Sequence, residues 1–117
     1  MKSYSSEAIR NIALISHGSA GKTSLAEALL FTSGAINRLG TIETGTTTTD
    51  YDPDEIKRQV TINVGLAPLE WDGVKINLLD TPGYFDFIGD LIGALRVADC
   101  SAVVVCAVSG VEVGTEK

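Results

Sequence analysis

Apolar and polar positions along the chain predict strands that are separated by helices. Residues 9–15 begin as an alternating pattern and become continuously apolar, which is typical of a buried strand. The segment SLAEALLF, which follows Thr23, has Leu25 and Leu29 one helical turn apart and predicts a helix. Gly34 is a plausible stop for this helix, because glycine readily takes the left-handed conformation just after a helix end.

The second half of the chain predicts a hairpin, a helix and a last strand. Residues 60–71 and 74–79 are strand-like and flank Asp72-Gly73, and such a pair favours a tight turn with positive φ at both positions. Apolar residues then recur at helical spacing, at Phe87, Leu91, Leu95 and Ala98. Residues 102–108 form a continuous apolar run of strand length.

A polar segment, residues 35–58, shows no clear periodicity. Its length indicates either a functional loop or disorder. We expect the threonine run at residues 46–49 to form a solvated, mobile loop. We also expect Lys57 on a solvated loop face, while Arg58 fits either that face or contact with a partner or phosphates.

The order strand, helix, hairpin, helix, strand predicts an α/β fold with a mostly parallel sheet and one antiparallel hairpin. Ligand loops of such sheets lie at the carboxyl ends of the strands. Two glycine-containing motifs occupy such ends, SHGSAGKT at residues 16–23 and DTPGY at residues 80–84. We therefore expect the two motifs to converge on one crevice.

Length and charge narrow the class of protein. The 117 residues form one domain at most, and the net charge of −6 argues against independent binding to nucleic acid or to a membrane. Cys100 and Cys106 lack metal-ligand spacing and are predicted to be buried thiols in a reducing cytosol. No signal-like segment or membrane-length apolar run is present, so we expect a cytoplasmic protein.

SHGSAGKT nearly matches the phosphate-loop pattern G-x-x-x-x-G-K-[ST], with Ser16 in place of the first glycine. The pattern predicts that backbone N–H groups surround the α- and β-phosphates, that Lys22 reaches the β- and γ-phosphates, and that Thr23 ligates Mg²⁺. The alternative is a glycine-rich turn that only caps a helix. The candidate nucleotide contacts are Ser16, His17, Gly18, Ser19, Ala20, Gly21, Lys22, Thr23 and Ser24, and for His17 the backbone N–H is expected to matter more than the imidazole.

DTPGY predicts the second half of the same site. The Asp80 carboxylate could hold the Mg²⁺ shell, directly or through water, and the Gly83 N–H could approach a γ-phosphate. The alternative is a helix-start turn capped by Asp80. The candidate contacts here are Asp80, Thr81, Pro82, Gly83 and Tyr84. Thr61 could complete the metal shell when a γ-phosphate is present, or it could simply be a threonine favoured in a strand.

SHGSAGKT, GTTTTDYDPDEIKRQVTI and LLDTPGYFDF together resemble the GTPase domain of translation elongation factor G. The resemblance runs from about Ile9 to the end, including CAVSGVEVGTE, and is closest to elongation factor G-like paralogues with GTTTTDY and DTPGY segments. Tetracycline-resistance ribosomal protection proteins are a close alternative. The resemblance implies a P-loop fold of the Ras-like type, GTP or GDP with Mg²⁺ as ligands, and the ribosome as partner.

By this resemblance Lys22 and Thr23 belong to the phosphate loop, Thr61 is the threonine of the first switch, and Asp80 with Gly83 opens the second switch. Metal ligation is implied for Thr23, Thr61 and Asp80, and catalytic roles for Lys22, Thr61, Gly83 and Tyr84.

Two positions depart from the family pattern. Ser19 stands where many translational GTPases have an aspartate, which argues against an associated monovalent-cation site. Tyr84 stands where the hydrolytic histidine is usual. A phenol is a poor base near neutral pH, and its oxygen lies further from the backbone, so we expect slow hydrolysis with nucleotide binding retained. Alternatively, Tyr84 is simple hydrophobic cover for the pocket.

The guanine-reading motif N-K-x-D does not occur in the 117 residues. We therefore expect residues 1–117 to be the N-terminal part of a GTPase domain, truncated on its C-terminal side, with weak and poorly base-selective binding. An exposed apolar edge is expected at the last strand. Two further classes stay open: a GTP-gated binding module with little hydrolysis, and a P-loop ATPase or kinase.

Overall fold

A computed structural model describes residues 2–84 and 87–116, so Phe85 and Asp86 of the motif LLDTPGYFDF lie outside the described residues. A 3-10 turn at Ser6–Ala8 precedes the first strand. The strands and helices that follow are, in chain order, β1 (Ile9–Ile15), α1 (Lys22–Thr32), α2 (Pro53–Arg58), β2 (Gly65–Trp71), β3 (Val74–Asp80), α3 (Ile88–Val97), β4 (Cys100–Val103) and α4 (Val113–Glu116).

The four strands form one mixed sheet in the order β2-β3-β1-β4. β1 runs parallel to β3 and β4, whereas β2 and β3 pair antiparallel. Asp72 and Gly73 join β2 to β3 with φ values of 50° and 77°, as the hairpin prediction requires. The mostly parallel sheet with one hairpin is therefore confirmed. Because Leu14 lies opposite Asp80, β1 and β3 end at the same edge of the sheet.

Helices cover both faces of the sheet. Leu14 of β1 packs in one buried cluster with Leu30 of α1, while its neighbour Ala13 packs in a second cluster with Ala94 of α3. Successive side chains of a strand point to opposite faces, so β1 serves both layers. β1 is consequently held by helices on both faces of the sheet. This fixes the point at which the SHGSAGKT loop begins.

Two predicted strands have different bounds in the structure. β2 begins at Gly65 instead of residue 60, because the N–H groups of Ile62 and Asn63 donate to the buried Glu55 side chain. β4 spans Cys100–Val103 instead of residues 102–108. Its partner β1 ends at Ile15, and the chain then turns back within residues 106–110, where Gly110 has a φ of 70°.

The polar segment contains a helix that its periodicity did not predict. Asp52 caps α2 by accepting from Asp54 N, and Glu55 in turn accepts from Asp52 N. Pro53 occupies the first helical position, where a missing N–H costs nothing. This capping box fixes the start of a six-residue helix despite its lack of an apolar stripe.

The prediction that both cysteines are buried is wrong. Cys100 is exposed and Cys106 is partly exposed, and both are free thiols. For Cys100 the reason is the position of β4 at the edge of the sheet, where one side of the strand has no neighbour among the described residues. Cys106 lies beyond the end of β4, in the turn of residues 106–110. The helices found in residues 2–84 and 87–116 are all too short or too polar to cross a membrane.

Candidate functional site

The loop after β1 and the turn after β3 face each other across a cleft of about 280 Å³. The cleft is lined by Gly18, Ser19, Gly21, Lys22, Thr23, Ser24, Ile42, Glu43, Asp50, Gln59, Val60, Thr61, Gly83 and Tyr84. Nine of these are among the predicted site residues, so the expected convergence of the two motifs is observed. The predicted residues that do not line the cleft are Ser16, His17, Ala20, Asp80, Thr81 and Pro82.

The phosphate loop holds the Lys22 ammonium inside the protein. Lys22 is buried, and its Nζ donates to Ser16 Oγ at 2.9 Å, while Ser16 Oγ donates to the His17 carbonyl at 2.7 Å. Burial lowers the pKa of Lys22, and the nearby Asp80 and Asp50 carboxylates oppose that shift. The serine that replaces the first motif glycine thus provides the acceptor that positions the lysine.

Asp80 lies beneath the cleft and is fully buried. Its Oδ2 accepts from Thr23 Oγ1 at 2.7 Å and from Thr49 Oγ1 at 2.8 Å. Its Oδ1 has no hydrogen-bond partner among the described residues. Burial raises the pKa of Asp80, and the bonds from Thr23 and Thr49 oppose the shift. A buried acceptor without a partner is costly, so Oδ1 is a natural point of attachment for a cation or its bound water.

A second buried carboxyl group, Asp50, holds Thr61. Thr61 Oγ1 donates to Asp50 Oδ1 at 2.8 Å and also lies 3.0 Å from Thr23 Oγ1. Burial and, to a smaller extent, the Asp80 charge raise the pKa of Asp50 to about 6, against the effect of the Thr61 bond. When both carboxyl groups are ionised, each threonine gives its only hydroxyl proton to a carboxylate. No hydroxyl proton is then left to form a hydrogen bond between Thr23 Oγ1 and Thr61 Oγ1.

These oxygen atoms fit Mg²⁺, which prefers oxygen ligands and keeps part of its water shell. Thr23 and Thr61 present converging hydroxyl oxygens, and Asp80 adds an unpartnered carboxylate oxygen. Residues 2–84 and 87–116 contain no group of three His, Cys, Asp or Glu side chains arranged around a metal position. A magnesium ion here would therefore need additional oxygens, such as those of a nucleotide and water.

Two buried glutamates hold the polar segment around the cleft. Glu27 of α1 accepts from Gly40 N at 3.0 Å and from Thr48 N at 2.9 Å. Glu55 of α2 accepts from the N–H groups of Ile62 and Asn63, each at 3.0 Å. Glu27 thus satisfies backbone donors before Thr61 and Glu55 satisfies donors just after it, so the segment is fixed without a β-ladder.

The prediction of a solvated loop at residues 46–49 is wrong for Thr47 and Thr49, although Thr46 and Thr48 are exposed. Thr47 and Thr49 are both buried, because Thr49 reaches inward to Asp80 and Glu27 holds the backbone at Thr48. Gly65 makes room for this arrangement: a Cβ at Gly65 would lie 2.6 Å from the Thr49 Cβ. Lys57 and Arg58 are exposed as predicted for a solvated face, although they lie in α2 instead of a loop.

DTPGY contacts the phosphate loop directly. Thr81 and Pro82 are buried, and Thr81 Oγ1 donates to the Leu14 carbonyl, which fixes the turn to β1. A Cβ at Gly83 would lie 2.7 Å from Lys22 Nζ and 2.8 Å from Gly18 Cα. The Tyr84 hydroxyl lies 3.2 Å from Ser19 Oγ, and the Tyr84 ring rests against Gly18.

The His17 imidazole joins the phosphate loop to the segment around α4. Its Nδ1 accepts from Gly114 N, and its Nε2 lies 3.3 Å from Glu112 Oε2. No sequence pattern indicated this contact, because Glu112 lies in a segment without clear periodicity. The expectation for the His17 backbone N–H stays a prediction.

The sequence contained patterns that point to some of the supporting residues of the site, although these residues were not predicted. Asp52-Pro53 followed by Glu55 is a capping-box pattern, which points to Glu55. Glu27 lies four residues after Thr23 and three before Leu30, so a helical projection places it on the buried face of α1. Asp50 and Thr49 carried no comparable signal, since their partners come from other elements.

Comparison with known proteins supports a common ancestry over nearly the whole chain. Residues 7–117 match the family described as the elongation factor Tu GTP binding domain. An elongation factor G-like protein of Mycobacterium tuberculosis is 44% identical over 109 residues, which cover 93% of this chain and 15% of that protein. A mitochondrial ribosome-releasing factor 2 of Candida dubliniensis is 45% identical over 108 residues, which cover 92% of this chain and 13% of that protein.

A solved structure agrees with the fold. A crystal structure of a protein from Thermus thermophilus superposes with a TM-score of 0.90 at 50% sequence identity. The match covers 93% of this chain and 16% of that chain. The present chain thus spans only a small part of the length of its relatives, and within that part sequence and fold agree. The chain belongs to the translational GTPase family, in the group that contains the elongation factor Tu GTP binding domain and elongation factor G-like proteins.

Proposed function

We propose that residues 1–117 form the N-terminal part of the GTPase domain of an elongation factor G-like protein. This part binds the phosphates of GTP and GDP together with Mg²⁺, and it contains the phosphate loop and both switch segments. The family membership supports guanine nucleotide binding and GTP hydrolysis as the general activity. The intact protein acts with the ribosome as partner, a proposal supported by the names of the elongation factor and ribosome-releasing relatives. The cytoplasmic location expected from the sequence is part of the same proposal.

The phosphate contacts follow from the cleft. Lys22 neutralises phosphate charge from a buried position, and the backbone of residues 16–21 with the start of α1 surrounds the phosphates. Ser24 lines the cleft beside Thr23. Gly83 lies next to Lys22 on the opposite wall and is the donor assigned to the γ-phosphate. Tyr84 follows Gly83 and lines the same cleft, where it would face the water that attacks the γ-phosphate.

The observation that carries the proposal is the unpartnered Oδ1 of Asp80, whose Oδ2 accepts from Thr23, together with the close approach of the Thr23 and Thr61 hydroxyls. Thr23, Thr61 and Asp80 are the residues that would hold Mg²⁺, directly or through water. When bound, the ion neutralises charge on the phosphate oxygens during transfer. Asp50 and Thr49 hold Thr61 and Asp80 in orientations that leave these oxygens available.

A fluorescent GDP analogue tests this proposal through its affinity with Mg²⁺ and with EDTA. We expect Lys22→Ala to weaken binding about 100-fold, because at least two charge-assisted hydrogen bonds are lost. EDTA should weaken binding by the wild-type chain as well. Without an N-K-x-D motif, GTP and ATP should compete with similar strength.

Lys57→Ala is the matched control, since Lys57 is an exposed lysine outside the cleft. It should bind like the wild type. Equal affinities for wild type and Lys22→Ala would contradict the assignment of the cleft. A strong preference for GTP over ATP would contradict the expectation of poor base selection.

Tyr84 favours a second candidate, a GTP-gated binding module that hydrolyses its nucleotide very slowly. The Tyr84 hydroxyl already has a hydrogen-bond partner in Ser19, which competes with a water for that hydroxyl. Hydrolysis measured with and without ribosomes separates the two candidates. A rate that stays at the ribosome-free level when ribosomes are added supports the binding module.

A further inference from the structure

DTPGY packs directly against Lys22 and the loop that precedes α1. A Cβ at Gly83 would have Lys22 Nζ, Gly18 Cα and Gly18 N all within 2.9 Å. There is consequently no room for a methyl group between Gly83 and the loop that contains Gly18 and Lys22. Lys22 and Gly83 are the two residues proposed to contact a γ-phosphate, so a triphosphate needs them to move apart, whereas a diphosphate does not.

Gly18 is a glycine because of the Tyr84 ring. The phosphate-loop pattern allows any residue at this position, and Gly18 is not among the glycines with left-handed φ. A Cβ at Gly18 would lie 2.6 to 2.9 Å from three carbon atoms of the Tyr84 ring. The missing side chain therefore serves to seat the ring against the loop.

Ser19 completes the contact. Its Oγ lies 3.2 Å from the Tyr84 hydroxyl, and its φ of 63° turns the loop in the left-handed region at this point. Ser19 and Tyr84 are the two positions at which the chain departs from the pattern that it resembles, and their side chains touch each other. Gly18, Ser19 and Tyr84 thus form one fitted contact, which we call the Tyr84 latch.

We propose that the Tyr84 latch sets the preference between di- and triphosphate, by holding Gly83 against Lys22 until a γ-phosphate displaces it. The inference rests on the proposed nucleotide-binding function. A diphosphate leaves the latch closed. A triphosphate must break the Ser19–Tyr84 hydrogen bond and move the ring from Gly18, and this cost lowers its affinity. Ser19 is a positioning residue in this scheme because it acts through Tyr84.

The test compares the affinities for GDP and for a non-hydrolysable GTP analogue, both with Mg²⁺, by calorimetry on the full chain. Ser19→Ala and Tyr84→Phe should each raise the ratio of analogue affinity to GDP affinity about 2- to 10-fold, the equivalent of one hydrogen bond. The double variant should show no further gain, because both changes remove the same bond. Tyr51→Phe, at an exposed tyrosine, should change neither affinity.

A melting experiment without nucleotide tests the ring seat. Gly18→Ala should lower the Tm of the otherwise unchanged chain, because the new methyl group displaces the ring. In a Tyr84→Ala background the same change should have little effect. Equal effects of Gly18→Ala in both backgrounds would show that the ring does not occupy this seat.

The two experiments separate the latch from the nucleotide-binding function. If the wild-type chain binds neither ligand, the proposed function is wrong, while the melting experiment still decides the ring seat. If both ligands bind and their affinities shift by the same factor in Ser19→Ala, the latch is wrong and the function stands. Gains that multiply in the double variant would also overturn the latch.

Discussion

The carboxyl group of Asp80 connects three parts of the chain. It ends β3, accepts from Thr23 at the start of α1, and accepts from Thr49 in the polar segment. All of these contacts use Oδ2, so the carboxylate is held firmly while Oδ1 stays without a partner among the described residues. A group that is fixed by one oxygen and open at the other is preorganised to bind a cation.

Tyr84→His should raise single-turnover GTP hydrolysis on the order of 100-fold, because a well-placed imidazole can orient the attacking water. The measurement uses saturating GTP, so that altered affinity does not contribute, and compares both proteins with and without ribosomes. Tyr84→Phe is the control and should stay slow. A histidine variant that hydrolyses no faster than wild type would show that Tyr84 does not limit the rate.

Asp50→Asn should change how stability depends on pH. The folded-state pKa of Asp50, about 6, lies above its ordinary value, so the folded chain binds more protons than the unfolded chain between pH about 4 and 6. The contribution of Asp50 is thus fully present below pH about 4 and is lost as the pH rises through about 6. Removing the acid should stabilise the variant relative to wild type by about 2 kcal/mol more at pH 7 than at pH 4.

Urea unfolding in EDTA at both pH values measures this difference. Asp54→Asn, at an exposed aspartate of α2, is the control and should show no comparable change. A difference between wild type and Asp50→Asn that stays constant with pH would show that Asp50 has an ordinary pKa.

Motifs predicted the residues that we propose contact the nucleotide, and they missed the residues that hold those side chains in place. Lys22, Thr23 and Asp80 belong to short patterns with fixed spacing, so they could be identified without a fold. Asp50 and Thr49 act only through residues 11 and 31 positions away, Thr61 and Asp80. Their burial depends on how the segment folds back over β3, which local sequence does not encode.

Helix α1 organises the polar segment as well as the phosphate loop. Its first residues, Lys22 and Thr23, face the cleft, while Glu27 one turn later binds the backbone at Gly40 and Thr48. A charged side chain in the buried stripe of a helix is expensive unless its hydrogen bonds are satisfied. Here the Glu27 carboxylate, in place of a β-ladder, accepts the backbone hydrogen bonds that hold the polar segment.

Glu27→Ala should destabilise the fold by about 3 kcal/mol, because two backbone N–H groups lose a charged acceptor. Hydrogen exchange at Gly40 and Thr48 should accelerate more than exchange in β1. Glu27→Gln keeps one acceptor oxygen and should lose protection at only one of the two amides. Unchanged exchange at both amides in Glu27→Ala would contradict the role of Glu27.

Elements with a strong local sequence pattern could be predicted, whereas elements whose bounds depend on contacts with other parts of the chain could not. β1, α1 and the hairpin have strong local patterns, and the structure confirms them. The start of β2 and the end of β4 depend on Glu55 and on the length of β1, so hydrophobic pattern alone misplaced both. α2 is too short for periodicity, although its capping box was present in the sequence.

The sheet leaves β4 at an edge, with apolar side chains beside it. Val103 and Val105 are each about half exposed, and Val108 is almost fully exposed. An edge strand with unpaired backbone groups and apolar side chains favours pairing with another chain. The parallel order of the sheet was predictable from the alternation of elements, and the edge position of the last strand was predicted with it.

The chain should therefore self-associate in a concentration-dependent way, which sedimentation velocity can measure. Val103→Lys should weaken association about tenfold or more, the equivalent of about 1.4 kcal/mol, because a charge would have to be buried in the contact. Lys57→Ala, far from the edge, should associate like wild type. Association that is unaffected by Val103→Lys would place the contact elsewhere.

Gly65 begins β2, a strand that does not line the cleft, yet it affects the packing of Thr49, a residue that holds Asp80. The hydrogen at its Cα leaves the gap that Thr49 fills on its way to Asp80. A single methyl group added there would push Thr49 aside and deprive the carboxylate of one of its two donors. We therefore expect natural variation at Gly65 to be as restricted as at the residues proposed to contact the ligand. A mutational scan that covered only the proposed ligand contacts would miss Gly65.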